Sequence, residues 1–365
     1  MTESAPSESH ARTGDRGIDG IMGPFRDPVR PVAYHGNTGA LMRLLLEVMA
    51  LALLTATLYR FWGKTRIRQY LWSNTQLFGE PLRYTGTSQE LLKGFLYFGG
   101  PAVAIVILQR IDNVLAIGFG FAIALVLQFA QSSGQYTGLR YRLSRTSWRD
   151  VQAHLGGRVG AYAMKDFVLV LQLAMTFGLS MPYVEWKVYQ LHIENISLGN
   201  KNLSVGLPPT GIFKYWFIAW LLFVPTLGLS FIYYRWHAIP KFVGATRFAD
   251  RRLRIDLTLG EVIGVYYPYW LFGLPVIGLI ALQHSLGWGP DGDVASAIVD
   301  YGISVFLALT VWSIARVLVF HKAMSLIALE LEMEGPIESL DIGPDSKPSS
   351  RFGEGLENAL DIDTF

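Results

Sequence analysis

"LMRLLLEVMALALLTATLYRFWGKTRIRQYLWSNTQLFGEPLRYTGT", residues 41–87, holds two kinds of sequence end to end. Residues 41–62 are almost wholly apolar, and about 20 such residues suffice to cross a bilayer at 1.5 Å each. Residues 64–87 are basic, aromatic and turn-rich. Arg60, Lys64, Arg66 and Arg68 stand where the apolar run ends, and Trp62, Tyr70 and Trp72 are rings suited to the headgroup level. "NTQLFGEPLRYTGT" alternates and breaks at Gly79–Glu80, which predicts a small β-hairpin with Pro81 at an edge or turn. The stretch therefore predicts a membrane helix that ends at the inner face and runs into a cytoplasmic hairpin.

Working outward, six further segments approach spanning length: 93–109, 113–130, 162–181, 212–234, 261–283 and 295–320. The third of the seven, "NVLAIGFGFAIALVLQFA", carries no charge, and "QRIDN" before it predicts a tight turn between two helices. Of the 365 residues 51% are hydrophobic and 16% charged, against about a quarter charged in soluble domains. This weighs against a soluble all-α core. The expected fold is an all-α polytopic membrane protein of about seven transmembrane helices, with short cytoplasmic β-hairpins.

Cations set the expected orientation. They cluster at 59–93, 131–165 and 235–259, whereas 182–211 holds only Lys187 and Lys201, and 284–294 none. The basic stretches are expected inside, Asn200 outside and the carboxyl terminus inside. Four arginines in the first thirty residues oppose export of that end, which leaves open a re-entrant or interfacial segment 41–62 with both tails inside. No basic start with an apolar stretch and cleavage site is present, so residues 1–33 are expected as a disordered polar tail.

Shifting the chain by 171 residues brings Thr55 onto Thr226, Lys64 onto Arg235, Thr75 onto Thr246, Leu82–Arg83 onto Leu253–Arg254, and Glu90 onto Glu261. This predicts parallel internal repeats, placed at 34–111, 112–205, 206–290 and 291–329. The hairpins at 74–87 and 245–258 are expected to superpose, the second breaking at Asp250–Arg251. Residues 330–365 are expected as an acidic disordered tail, with a loose docking onto the basic loops as an added expectation.

Residues 34–95 resemble the YjgN family, bacterial inner-membrane proteins with a domain of unknown function. The resemblance rests on Tyr34-His35-Gly36, Thr57-Leu58-Tyr59, Trp62, Asn74-Thr75 and Tyr84-Thr85-Gly86-Thr87. The Gly-Ile usual at the helix end is missing in the first copy, while the second keeps "TLGLSFIYY" at 226–234, and Phe61 replaces the usual proline. The resemblance implies a multi-pass inner-membrane protein and no particular activity.

The chemistry of sites is sparse. Without cysteine there is no thiolate site or disulfide. The seven histidines show no metal spacing, and no phosphate loop or nucleophile elbow is present. No cofactor, no nucleic-acid partner and no enzymatic activity are expected. Polar residues inside apolar segments are the better candidates: Glu47, which can pair with Arg43 one turn earlier, Gln128, Gln172 and Arg316. The cations Arg60, Lys64, Arg66, Arg68, Arg83, Arg235, Arg251, Arg252 and Arg254 are the expected contacts for anionic membrane lipids. The first functional expectation is a transport or channel-like protein for a small solute or ion. The alternative is a non-catalytic envelope or lipid-interacting protein.

Overall fold

In the computed structural model, residues 25, 27–55, 58–90, 115–285, 294–336 and 340–343 are described. The building block is a strand, a pair of helices and a second strand. The first runs through β2 (Val32–Tyr34), α1 (Thr38–Leu54), α2 (Arg60–Ser73) and β3 (Thr75–Leu77). After the short strands β4 (Glu80–Pro81) and β5 (Arg83–Tyr84), the second block closes with α3 (Leu115–Ser144) and β6 (Thr146–Trp148). The third is β7 (Val151–Leu155), α4 (Val159–Met175), α5 (Met181–Ile193) and β8 (Ile196–Leu198). The fourth is β9 (Lys201–Val205), α6 (Ile212–Leu221), α7 (Ser230–Gly244) and β10 (Thr246–Phe248). The fifth is β11 (Arg251–Ile255), α8 (Leu259–Ser285), α9 (Val294–Glu330) and β12 (Leu331–Glu334).

Each block is closed at its base by the same antiparallel pairing. Tyr34 pairs with Thr75, Tyr84 with Thr146, Leu155 with Ile196, Val205 with Thr246 and Ile255 with Leu331. The next residue repeats one backbone bond: His35 N–H to Asn74 at 2.9 Å, and Thr85 to Arg145, Gly156 to Asn195 and Gly206 to Ala245 at 2.8 Å each. Tight turns join the blocks. Phe78–Gly79, Arg149–Asp150 and Ala249–Asp250 each hold two consecutive residues at positive φ, the twist that suits a two-residue hairpin. Two of these turns lie one residue earlier than their sequence breaks suggest.

The strands form sheets of nine and three, in the orders β1-β12-β11-β10-β9-β8-β7-β6-β5 and β2-β3-β4, with β1 at Pro28–Val29. Chain continuity from β1 to β2 and from β4 to β5 carries the circuit from one sheet to the other, so the strands run round a closed ring. One core fills it. Trp148, Val151, Ala153, Leu198, Phe248 and Met333 are buried together, with Val29, Leu77, Leu82, Leu203 and Leu253 against them. Phe78 reaches Trp148 edge-on at 5.7 Å and stacks with Phe248 at 6.2 Å. On the outer face the alternation leaves Arg83, Gln152, Asn202, Ser204 and Arg247 exposed.

Several expectations are corrected here. The protein is not an all-α, seven-span membrane protein with small hairpins. It carries a nine-stranded antiparallel sheet, and among the described residues two helices are long and apolar enough to cross a membrane, at Leu259–Leu279 and Thr310–Glu330. Segments 41–62, 162–181 and 212–234 have spanning length but contain a reversal of the chain, between α1 and α2, α4 and α5, and α6 and α7. Apolar length alone cannot register that reversal, because the turns are apolar too. Segment 93–109 lies outside the described residues.

The stretch 182–211, read as an exported loop, supplies β8 and β9, which sit between β7 and β10. Its outward residues are Asn202 and Ser204 rather than arginines, so it is polar without the cations that mark its neighbours. Residues 28–29, 32–33 and 331–334, read as parts of disordered tails, lie in strands of the ring. The remaining described tail residues, 340–343, also lie on the ring: Leu340 and Ile342 pack on its core, and Asn200 exchanges backbone and side-chain bonds of 3.2–3.3 Å with Asp341 and Gly343.

Candidate functional site: apolar turns on a closed strand ring

Three of the helix pairs are short and turn back within apolar sequence. Each turn is organised by one threonine. Thr55 Oγ1 donates to the Leu51 carbonyl at 2.7 Å and accepts from the Tyr59 N–H at 3.0 Å. Thr176 does the same with Gln172 at 2.9 Å and Ser180 at 3.3 Å. Thr226 does so with Leu222 at 2.6 Å and Ser230 at 3.1 Å. Phe177–Gly178 and Leu227–Gly228 take positive φ, where glycine carries no Cβ penalty.

The carbonyls that these turns free are met by tryptophans of the next block. Trp216 and Trp220 of α6 donate to Gly178 and Phe177, each at 3.0 Å, and Trp270 of α8 donates to Leu227 at 3.1 Å. These three carbonyls are thus met from within the protein, while the side chains around them face outward. Leu54 is 82% exposed, Phe177 83% and Val224 79%. Leu53, Leu58, Met175, Leu221, Phe223 and Leu227 join them. Apolar exposure on this scale marks a surface meant for a non-aqueous or protein neighbour.

The family described as "Bacterial protein of unknown function (DUF898)" matches residues 29–335. The chain belongs to this family. The match begins in β1 and ends one residue after β12, so the family domain coincides with the closed ring and its helices. It bears out the resemblance drawn above to proteins with a bacterial domain of unknown function. No curated protein and no solved structure matches the chain.

Of the polar candidates, Glu47 pairs with Arg66 rather than Arg43. Its two oxygens take the Arg66 guanidinium at 2.6 and 3.2 Å, and Arg66 also meets Tyr59 at 3.0 Å. Arg66 holds the Glu47 carboxyl below its usual range. Gln128 is half-buried on α3, Gln172 half-buried on α4, and Arg316 lies 5.6 Å over the Trp312 ring on α9. They occupy separate blocks of the domain.

Most of the cations expected at lipid are engaged within the protein. Arg68 is fully buried and meets the Tyr84 hydroxyl at 3.2 Å, and Lys64 is 9% exposed. Arg235 of α7 pairs with Glu185 of α5, whose other oxygen accepts from Tyr234 at 2.6 Å. Arg252 holds Glu334 bidentately at 2.7 and 2.8 Å, Arg254 holds Asp256 at 2.6 Å, and Arg251 binds the carbonyls of Glu334 and Pro336. Arg60 is half-buried, and Arg83 is exposed on the ring's outer face.

A further buried set joins α3, α4 and α5. Tyr162 stacks on Tyr136 at 4.3 Å and on His192 at 5.1 Å. Burial, with Arg142 nearby, pushes His192 down to about 4. Among the described residues no group of histidines and carboxylates could hold a metal ion.

The turn-forming role of the threonines, and the tryptophans and Glu185, are not among the features expected from the sequence. The signal was present as "TFGLS" at 176–180 and "TLGLS" at 226–230. The same shift of fifty residues carries Glu185 onto Arg235.

Proposed function

We propose that the protein is a non-catalytic, lipid-interacting integral protein of the bacterial cytoplasmic membrane. The observation that carries this reading is the construction of the short turns. Their side chains are apolar and exposed, while each N–H and carbonyl named above finds a partner in threonine or tryptophan. A backbone in lipid has that requirement, since no water is there to bond it. At 1.5 Å per residue α6 is about 15 Å long and α4 about 25 Å, short of a hydrocarbon core of about 30 Å. The α1–α2, α4–α5 and α6–α7 pairs would dip into the membrane from the ring side and return. α8 and α9 would cross it.

The ring, with its excess of Lys and Arg nearby, would sit at the cytoplasmic face and keep the carboxyl end inside. Membrane lipids are then the partner, through the apolar turns and the exposed Arg83 and Arg247. Transport of a small solute or ion is the second reading, favoured by the polar groups buried among α3, α4 and α5. Uptake by protein-bearing vesicles over empty ones would support it.

The absence of cysteine allows a direct test of the first reading. A fluorophore on Phe177→Cys or Val224→Cys, in protein reconstituted in vesicles, should be quenched by brominated lipid and not by iodide. Quenching by iodide alone would overturn it.

A further inference from the structure

α3 and α4 meet at one buried acid. Asp166 of α4 is 6% exposed, and its Oδ2 lies 2.6 Å from the hydroxyl of Ser132 on α3, which is fully buried. The same hydroxyl lies 3.1 Å from the carbonyl oxygen of Gln128, one turn earlier on α3. A serine hydroxyl has one hydrogen to give. If Asp166 were ionised, Ser132 would face two acceptors with that single hydrogen, and a buried charge would have no cation of the described residues paired with it. Among the described residues Asp166 has no ion pair. Lys165, its neighbour in sequence, points out to the exposed side of α4.

The contact closes if the acid carries the hydrogen. Asp166 then donates to Ser132 Oγ, and Ser132 donates to the Gln128 carbonyl, so each of the two hydrogens has one acceptor. We propose that Asp166 is a proton-binding site, and that its bound proton is what ties α4 to α3. Two oxygens 2.6 Å apart are at the distance of an O–H···O hydrogen bond, so the ligand proposed is the proton.

The surroundings fit an acid kept neutral. Tyr162, one turn before Asp166, is 4% exposed, and its hydroxyl is buried without a hydrogen-bond partner, as is Nε2 of His192 on α5. On α3, Tyr136 bonds the Gly156 carbonyl, Arg140 bonds the carbonyls of Gly156 and Gly157, and Arg142 lies close enough to His192 to disfavour its protonation. No ion pair joins either arginine to Asp166. Burial raises the Asp166 carboxyl above its ordinary range, only partly offset by Ser132. Release of the proton to water would leave a buried anion. Ser132 would have to turn its hydrogen away from Gln128, or α4 would have to move.

Infrared difference spectra of the full-length protein in lipid, recorded across pH for wild type, Asp166→Asn and Ser132→Ala, test this. In wild type minus Asp166→Asn, a protonated-carboxyl C=O band is expected at neutral pH and lost at alkaline pH. In Ser132→Ala, which removes the acceptor, that band should shift in frequency. No carboxyl band at neutral pH, or one that Ser132→Ala leaves in place, would overturn the proposal. Loss of the band on adding sodium at fixed pH would replace the proton with a cation. Should Asp166→Asn fail to fold, the Ser132→Ala shift decides alone.

Discussion

Thr226 shows what a single side chain does in an apolar turn. Its hydroxyl donates backward to Leu222 and accepts from Ser230 ahead, so one residue serves both ends of the reversal. Thr226→Val keeps the shape and removes both bonds. We expect it to cost about 1–3 kcal/mol, because in the lipid setting proposed above the groups left behind have no water to turn to. Thr226→Ser should cost much less. Thermal melts in detergent compare the two. His192 gives a pH dependence. Its folded value lies near 4 against 6.5 for the free side chain, so between those values the unfolded chain binds the proton more readily. Stability is therefore full above about pH 6.5 and falls as pH drops toward 4. His192→Gln should flatten that fall in melts between pH 7 and 4.5, and an equally steep fall would refute the assignment.

The helix pair is the element that decides the fold, and it was only half legible in the sequence. Residues 41–62 do form an apolar unit, yet hydropathy reports length and not direction. A span and a re-entrant pair are the same string until the turn is recognised. Thr55 and Thr226 fell into register under the 171-residue shift, so the repeat was visible while the turn inside it was not. The hairpins at 75–81 and 246–255 were readable because strand alternation and the turn residues reinforce each other. The hairpin at 196–205 was not, since it carries a single lysine and the cation count set it apart from the strands it pairs with. The helix pairs of the third and fourth blocks are joined through equivalent positions: Glu185 and Arg235 stand fifty residues apart and meet as an ion pair. Breaking such a pair strands a buried charge, so Glu185→Ala should cost about 3–5 kcal/mol. A melt unchanged by that substitution would show that the third and fourth pairs are held by packing alone.

At the scale of the molecule, four described helix pairs and α3 stand on one closed ring of strands. Every strand pairing is antiparallel, and each block hands its last strand to the next. The exposed edges that a small sheet would leave are removed by closure. Leu340 and Ile342 then cover the core from the turn side. Glu334 shows why the acidic tail could not be read as solvated throughout: its two oxygens are taken by Arg252, a long-range pairing that composition cannot foresee.

Closure has one consequence that a seven-span chain does not share. On the membrane reading proposed above, the turns at Asp150, Asn200 and Asp250 all lie on one side. Single cysteines at these positions, in the otherwise cysteine-free chain, can be probed with a membrane-impermeant maleimide in intact cells and in inverted vesicles. The ring predicts that Asp150→Cys, Asn200→Cys and Asp250→Cys all react in inverted vesicles and none in intact cells. Reaction of Asn200→Cys from outside while Asp150→Cys and Asp250→Cys react from inside would contradict it.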